Sequence, residues 1–400
     1  MRGSTVRAVN RLTARWAGVL PPGQGTVLSA SGVWPLLAFL ADGAEGSARA
    51  ELEEALGMRA GSAVGAAREL LDALARIPGA GSAVGLWTRP RVRPYDAWAA
   101  GLPEATLGRL GEDDVENQRL LDAWAAQRTG GLIPAMPVTV RKDTDLVLAT
   151  AQAVRTTWLR PFREGGGFPD HGPWAGREIA ALHRTTGLLD RVGVATTDAG
   201  PLTVMKVLGS TGVDVHLLLG PVDAECGAVL KAGVDVLSGA CPTVTGDLLP
   251  LGGPGPGLDV RNVRSTSREP YLSVTTPPFS LTAEHDLTAL HGLFGLTTAR
   301  DTTRGHFPGI CARPPLAVRQ ARQAAMARFG ARGFEAASVT AIGMPGAGVP
   351  RLPFVVRRID LDIDRPFGFL TVHRTSRLVL AAGWVAEPEP YLLEEEEWEA

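Results

Sequence analysis

Apolar positions along the chain keep either a helical or a strand period over most of its length, with Gly and Pro marking the breaks. Val6, Val9, Leu12 and Trp16 recur three to four residues apart, which predicts an amphipathic helix over 4–18 capped by Ser4 or Thr5. A short strand at Val27 then turns into a buried helix, and Ser47 to Leu56 reads as a helix with Ser47 as cap and Gly57 as stop. Residues 63–78 give another helix and Ala83–Thr88 a strand; 91–108 are irregular or helical. Leu121, Trp124 and Ala125 form an apolar stripe on a helix ended by Gly130 and Gly131, which assigns Trp124 to the core. Leu146–Arg155 is apolar at almost every position and reads as a long, largely buried strand. Thr203–Leu208 and Val213–Leu219 pair as a hairpin with His216 as an ordinary strand residue, and 222–238 is helical. Residues 243–257 are a break, Tyr271–Leu281 a strand, Asp286–Leu296 a helix ending at Gly295, and Thr302–Ile310 a loop. Val318–Phe329 is rich in Ala and Gln and fits a helix or a strand equally. Phe367–His373 and Arg377–Val385 form a closing hairpin about Arg374–Ser376. Helices and hairpin strands are interleaved with no repeat period, which predicts an α+β fold.

The stretch Gly333–Pro366 changes character twice. Its first third, Gly333-Phe-Glu-Ala-Ala-Ser-Val-Thr340 and on to Met344, is small and strand-compatible. Pro345, Gly346, Gly348, Pro350 and Pro353 then exclude the middle from any sheet ladder. The last third alternates and is aromatic, as strands are. A long loop with a strand-like front half is able to join a sheet if something releases it.

Composition narrows the function. With 400 residues and 45% hydrophobic content the chain can bury a large core. Its formal charge of −2 points to neither nucleic acid nor an anionic membrane surface, and no apolar run is long enough for a bilayer. Cys226, Cys241 and Cys311 are odd in number and lack metal spacing, so buried free thiols and a reducing compartment are expected. The first residues mix Arg with isolated apolar positions and do not read as a signal peptide, so a cytoplasmic location is expected. Gly165–Gly172, with His171, could cradle phosphate but is followed by no Lys-Ser/Thr helix start, and reads as a surface loop. There is no Gly-x-Ser-x-Gly elbow, His-Glu-x-x-His or Cys-x-x-Cys, so no enzyme, cofactor or metal centre is expected.

Gly333–Thr340, followed by Arg365-Pro-Phe-Gly-Phe369, resembles the reactive-centre loop of the serpin family and the strand after it. The opening helix–strand–buried helix, the Leu120–Ile133 helix and turn, and the Thr156-Thr-Trp-Leu-Arg-Pro-Phe162 turn resemble the same family in the same order. The resemblance implies a single serpin domain over 1–388 and an acidic, disordered tail over 389–400. It implies about eight to nine helices, a large mixed main sheet, two smaller sheets and an exposed loop at about 333–363. It makes Val318–Phe329 a strand. It further implies an inhibitor of serine-type, or cysteine-type, endopeptidases, monomeric, which is cleaved as a substrate and inserts its loop into the main sheet. The hinge would be Gly333, Phe334, Glu335, Ala336, Ala337, Ser338, Val339 and Thr340. The inward side chains would be Phe334, Ala336, Ser338, Thr340, Ile342 and Met344. The scissile bond would be Ala347–Gly348, suiting elastase- or subtilisin-like proteases, or alternatively Arg351–Leu352, suiting a trypsin-like one. Four positions depart from the family pattern. Phe334 stands where a small Thr or Ser is usual, Ala331 replaces an anchoring Glu, Gln323 a His beneath the opening sheet, and Gly32 a Ser beside it. A ring at 334 is expected to slow insertion, which favours the alternative of a non-inhibitory protein binding a partner or small ligand.

Overall fold

The run Leu146–Val154 forms a strand, β4, whose nine positions are all buried. Its odd residues Val147, Ala149 and Ala151 face one apolar cluster and Leu146 and Leu148 face another, which is why the sequence shows no alternation. A strand covered on both faces must lie inside a layered domain. The computed structural model describes residues 1–104, 106–141, 144–334 and 353–391.

β4 lies in the main sheet with β2 (Ala80–Thr88), β3 (Leu107–Arg109), β5 (Thr156–Thr157), β14 (Phe279–Asp286), β15 (Gln320–Phe329) and β16 (Gly333–Phe334). Their order is β3-β2-β4-β15-β16-β5, with β14 also paired to β15. A second sheet runs β1 (Thr26–Leu28), β19 (Leu378–Val385), β18 (Phe367–His373), β10 (Val213–Leu219), β9 (Gly200–Val207), β8 (Val192–Thr197), β11 (Thr243–Thr245). The third runs β12 (Leu258–Ser265), β17 (Phe354–Asp362), β13 (Tyr271–Thr276), β7 (Ile179–Thr186), β6 (Arg163–Gly167). Among the described residues the helices are α1 (Gly3–Ala17), α2 (Ala30–Gly43), α3 (Gly46–Leu56), α4 (Ala60–Ala75), α5 (Asp96–Ala99), α6 (Asp114–Thr129), α7 (Cys226–Ser238) and α8 (His291–Phe294). The fold is α+β with a mixed main sheet, since β4 runs parallel to β15 and antiparallel to β2.

Helix α2 is apolar on all sides and threads the core beneath the main sheet. Helix α6 covers the sheet's other face, where Trp87 and Trp124 meet edge to face at 4.6 Å. Gly85 and Gly108 make room for that ring: a Cβ on either would lie within 2.3 Å of Trp87. Trp124 itself is half-buried at the edge of this cluster.

Several local expectations are corrected. The N-caps are Arg2 and Glu45, without side-chain cap bonds, rather than Ser4, Thr5 or Ser47. Part of the glycine-rich stretch is strand: Arg163–Gly167 pairs with β7, and the Tyr391 ring lies about where a Cβ on Gly166 would reach, at 3.1 Å. The break at 243–257 opens with β11 paired to β8. Pro277 and Pro278 divide the expected Tyr271–Leu281 strand into β13 and β14, which belong to different sheets. The expected helix from Asp286 shrinks to His291–Phe294, because β14 extends to Asp286. Phe354–Asp362, assigned to the loop, is a strand, so the described part of the loop ends before Phe354. At the tail, Glu389 O accepts from Ala180 N at 2.8 Å and Pro390 bridges Ile179, so 389–391 is ordered against β7; residues 392–400 lie outside the described set. The three cysteines are free, Cys226 and Cys311 buried and Cys241 half-buried. Among the described residues no helix is long and apolar enough to cross a membrane, and no cluster could hold a metal.

His216 on β10 is a strand residue, as expected, and burial pushes its pKa down to about 4, with Lys206 and Arg377 adding to the shift and Asp214 opposing it. Unfolded, the imidazole takes up a proton near its ordinary 6.5; folded, it does so only near 4. Between those values the unfolded chain binds more protons, so stability present above pH 6.5 falls as pH drops toward 4, by roughly 3 kcal/mol for this group. Burial shifts His285 and His373 in the same direction. Thermal midpoints from pH 7 to 4.5 should fall less steeply in H216Q than in the natural chain.

Candidate functional site

Strands β4 and β15 pair in parallel over Val147–Gln152 and Gln320–Ala325. Beyond those residues they part, and Gly333–Phe334 enters the fork. Phe334 pairs antiparallel with Phe329 on one side and with Thr156 on the other, while Gly333 pairs with Thr157. The first two residues of the expected hinge are therefore already a strand of the main sheet. Glu335, Ala336, Ala337, Ser338, Val339, Thr340, Ala347, Gly348, Arg351 and Leu352 lie outside the described residues.

Gly333 is required at its position: a Cβ would lie 2.4 Å from Thr156 O. Phe334 points inward and is 2% exposed. Its ring lies 6.3 Å from Phe369 at the edge of an aromatic cluster. There Phe279 stacks on Phe369 at 4.8 Å and on Phe329 at 5.3 Å, and Trp158 and Phe162 close on Phe329 at 5.0 and 5.7 Å. Whether a ring at 334 slows insertion is a separate question from where it sits: in the uncut protein it is already enclosed. The ring has a place and occupies it before any insertion.

Ala331, buried where an anchoring Glu was expected, leaves the corner to main-chain bonds. Phe162 N donates to Ala331 O at 2.8 Å and Trp158 N to Arg332 O at 2.9 Å. The Trp158 indole donates to Gly330 O at 2.8 Å, and Gly330 N donates to Gly333 O at 2.9 Å. Residues 330–333 are thereby held against 158–162 without an ion pair at position 331.

Deeper under the fork, the remaining two departures form one polar cluster. Gln323 on β15 is 0% exposed and accepts from Ser29 N at 2.8 Å. Its amide nitrogen donates to Ser29 O at 2.8 Å and Thr150 Oγ1 at 3.2 Å. Ser29 is the cap of α2, and its hydroxyl and that of Ser31 share two acceptors, Gln152 Oε1 and Leu380 O, at 2.5–3.1 Å. Gly32 completes the set, because a Cβ there would sit 3.2 Å from Gln152 Oε1 and 3.7 Å from Gln323 Nε2. The two glutamine amides fill the space a larger residue 32 would take. Gln152 Nε2 is buried without a partner. The cluster ties α2 to β4, β15 and β19, and β4 and β15 are the pair that would have to part for a strand to enter between them. Sequence reading found Gln323 and Gly32 but missed Gln152, Thr150, Ser29 and Ser31; two amides in otherwise apolar strands were the available signal.

A mixed main sheet in which a two-residue strand, Gly333–Phe334, pairs with β15 and β5, beside two smaller sheets and the buried helix α2, defines the class of fold. The serpin (serine protease inhibitor) family model matches residues 8–168 and 258–388. The chain belongs to the serpin family, whose members are generally protease inhibitors rather than enzymes. It is 28% identical over 388 residues to a putative serpin-Z6A from Oryza sativa subsp. japonica, covering 90% of this chain and 93% of that one. It is 23% identical to human plasminogen activator inhibitor 2 over 280 residues, 68% of this chain and 61% of that protein's length. The structure of human thyroxine-binding globulin complexed with thyroxine superposes with a TM-score of 0.71 at 16% identity, covering 97% and 98% of the two chains.

Proposed function

We propose that the protein inhibits serine-type endopeptidases, and by the same chemistry cysteine-type ones, as a suicide substrate. A protease takes the loop as substrate, its nucleophile forming an ester or thioester with the carbonyl carbon of Ala347 as the Gly348 amine departs. Arg351–Leu352 is the alternative bond. An elastase- or subtilisin-like enzyme suits the first and a trypsin-like enzyme the second. The freed segment 335–344 then follows Phe334 between β4 and β15, carrying the acyl-enzyme with it before water can release it.

The fork at Gly333–Phe334 carries this reading. The two residues already run antiparallel to both neighbours, the direction a full insertion would continue. Insertion replaces one parallel ladder by two antiparallel ones, and parallel pairing is the slightly weaker of the two. Strand addition supplies main-chain hydrogen bonds whatever the side chains. The alternative is a partner- or ligand-binding serpin without trapping; it draws its support from Phe334 as a ring that slows insertion, and the enclosure of that ring in the uncut protein favours the inhibitor reading over it.

The test is incubation with elastase, subtilisin and trypsin followed by denaturing electrophoresis. A covalent band at the summed mass is expected with at least one of them, together with a large rise in the thermal midpoint of nicked protein. Clean nicking by all three, with no such rise, would favour the alternative.

A further inference from the structure

The segment that flanks the hinge slot also closes a second, smaller space. Leu159 N donates to Leu208 O at 3.0 Å and Trp158 bridges Gly209, which lays 158–160 across the end of β9. Arg184 Nη1 on β7 donates to Arg160 O at 3.0 Å. Between these strands is a cavity of about 140 Å³. Arg160, Arg184, Arg191 and Lys206 line it, Leu159, Leu188 and Leu208 form its apolar wall, and no carboxylate lines it. Asp190 meets Arg191 Nη2 at 3.6 Å without being part of the lining.

Two features set these cations apart from a solvated basic face. Arg184 Nε and Arg191 Nε are both buried with no hydrogen-bond partner. A buried donor left unmade costs free energy, and a guanidinium more than an amide. Arg184 also carries the strain of its neighbours: burial first, then Arg160 and Arg191, pushes its pKa down to about 10, where an arginine ordinarily stays far higher. Like charges gathered in a half-enclosed space with spare N–H donors are the chemistry that recognises an anion.

We propose that this cavity binds a small oxyanion, a phosphate or sulfate group, held by Arg184, Arg191 and Lys206 and closed by Arg160. The volume fits that ligand class. It is several times the ~30 Å³ share of one water and well below the ~300–1,000 Å³ of sites for drug-sized ligands. Guanidinium forks match tetrahedral oxyanions in geometry as well as charge. The same chemistry is offered by a free ion or by the end group of a longer chain. The site bears on the hinge through one ring: the Arg184 guanidinium lies 4.2 Å over Phe162, whose N–H holds Ala331 beside the slot. An anion drawing Arg184 and Arg160 together would brace that segment. The proposal is independent of whether the loop traps a protease.

Isothermal titration and thermal-shift measurements on the full chain in low-chloride buffer test it, with inorganic phosphate and tripolyphosphate as probes. Saturable one-to-one binding and a midpoint rising with ligand concentration are expected. Binding of phosphate itself identifies a free-ion site, and binding of tripolyphosphate alone identifies an end-group site. R184Q should weaken affinity about tenfold or more. Because it also uncovers Phe162, the half-buried K206Q serves as the second variant and should show the same loss of affinity. K231Q, on an exposed α7 residue paired with Asp235, should bind as the natural chain does. Absence of saturable binding by both probes, or equal affinity in K206Q and K231Q, would overturn the site.

Discussion

Replacing Phe334 by alanine should destabilise the intact protein by about 3–5 kcal/mol, the usual cost of emptying a large buried aromatic site. The ring is almost wholly enclosed and packs toward Phe369 beside the Phe279–Phe329 stack, so its removal leaves a void that a sheet and its neighbours close poorly. Thermal midpoints of F334A and F334T against the natural chain measure the effect. A second readout separates a seated ring from an obstructing one. If the ring obstructed insertion, F334T would raise the yield of covalent protease complex and leave stability unchanged. With the ring seated, F334T loses stability and brings no gain in yield.

The other large effect is expected at Gln323. In Q323L an apolar side chain of similar size would strand the Ser29 N–H and C=O and the Thr150 hydroxyl in the interior. Each orphaned main-chain group costs about 1–3 kcal/mol, so a loss of several kcal/mol is expected. T150V removes just the 3.2 Å contact and should cost about 1 kcal/mol. Denaturant midpoints that rank T150V as severe as Q323L would contradict the bonding described. Because the cluster joins α2 to β4 and β15, Q323L should also open the sheet more readily, seen as faster uptake of a synthetic 335–344 peptide in native gels.

Much of the frame was legible in the sequence, for physical reasons that differ by element. Helix α1 carries one clean period because it packs one face on the core, and the β18–β19 hairpin reads as apolar strands because it is buried on both faces. The β15 strand was not legible from its residues. Ala-rich stretches favour helix, and it is the flanking β4 and β14, distant in sequence, that hold Gln320–Phe329 extended. The resemblance to a family supplied what propensity could not. β12 escaped notice because Arg261, Asn262 and Arg264 give it the polarity of an exposed edge. At the site, Phe334 was legible as an inward residue, but not the enclosure that receives it, since the surrounding rings come from β14, β15 and β18. The bonding around Gln323 joins residues up to 294 positions apart, a proximity that no local pattern encodes.

Strand β17 leaves the far side of the loop and is stitched on both edges, through eight residue pairs to β12 and five to β13. It works as a mooring. An uncut loop that tried to bury itself completely would have to haul this strand out of the third sheet, whereas a severed one leaves it in place. Under the proposed mechanism scission would be the trigger, and an unprovoked slide into a self-buried form is expected to be rare in this protein.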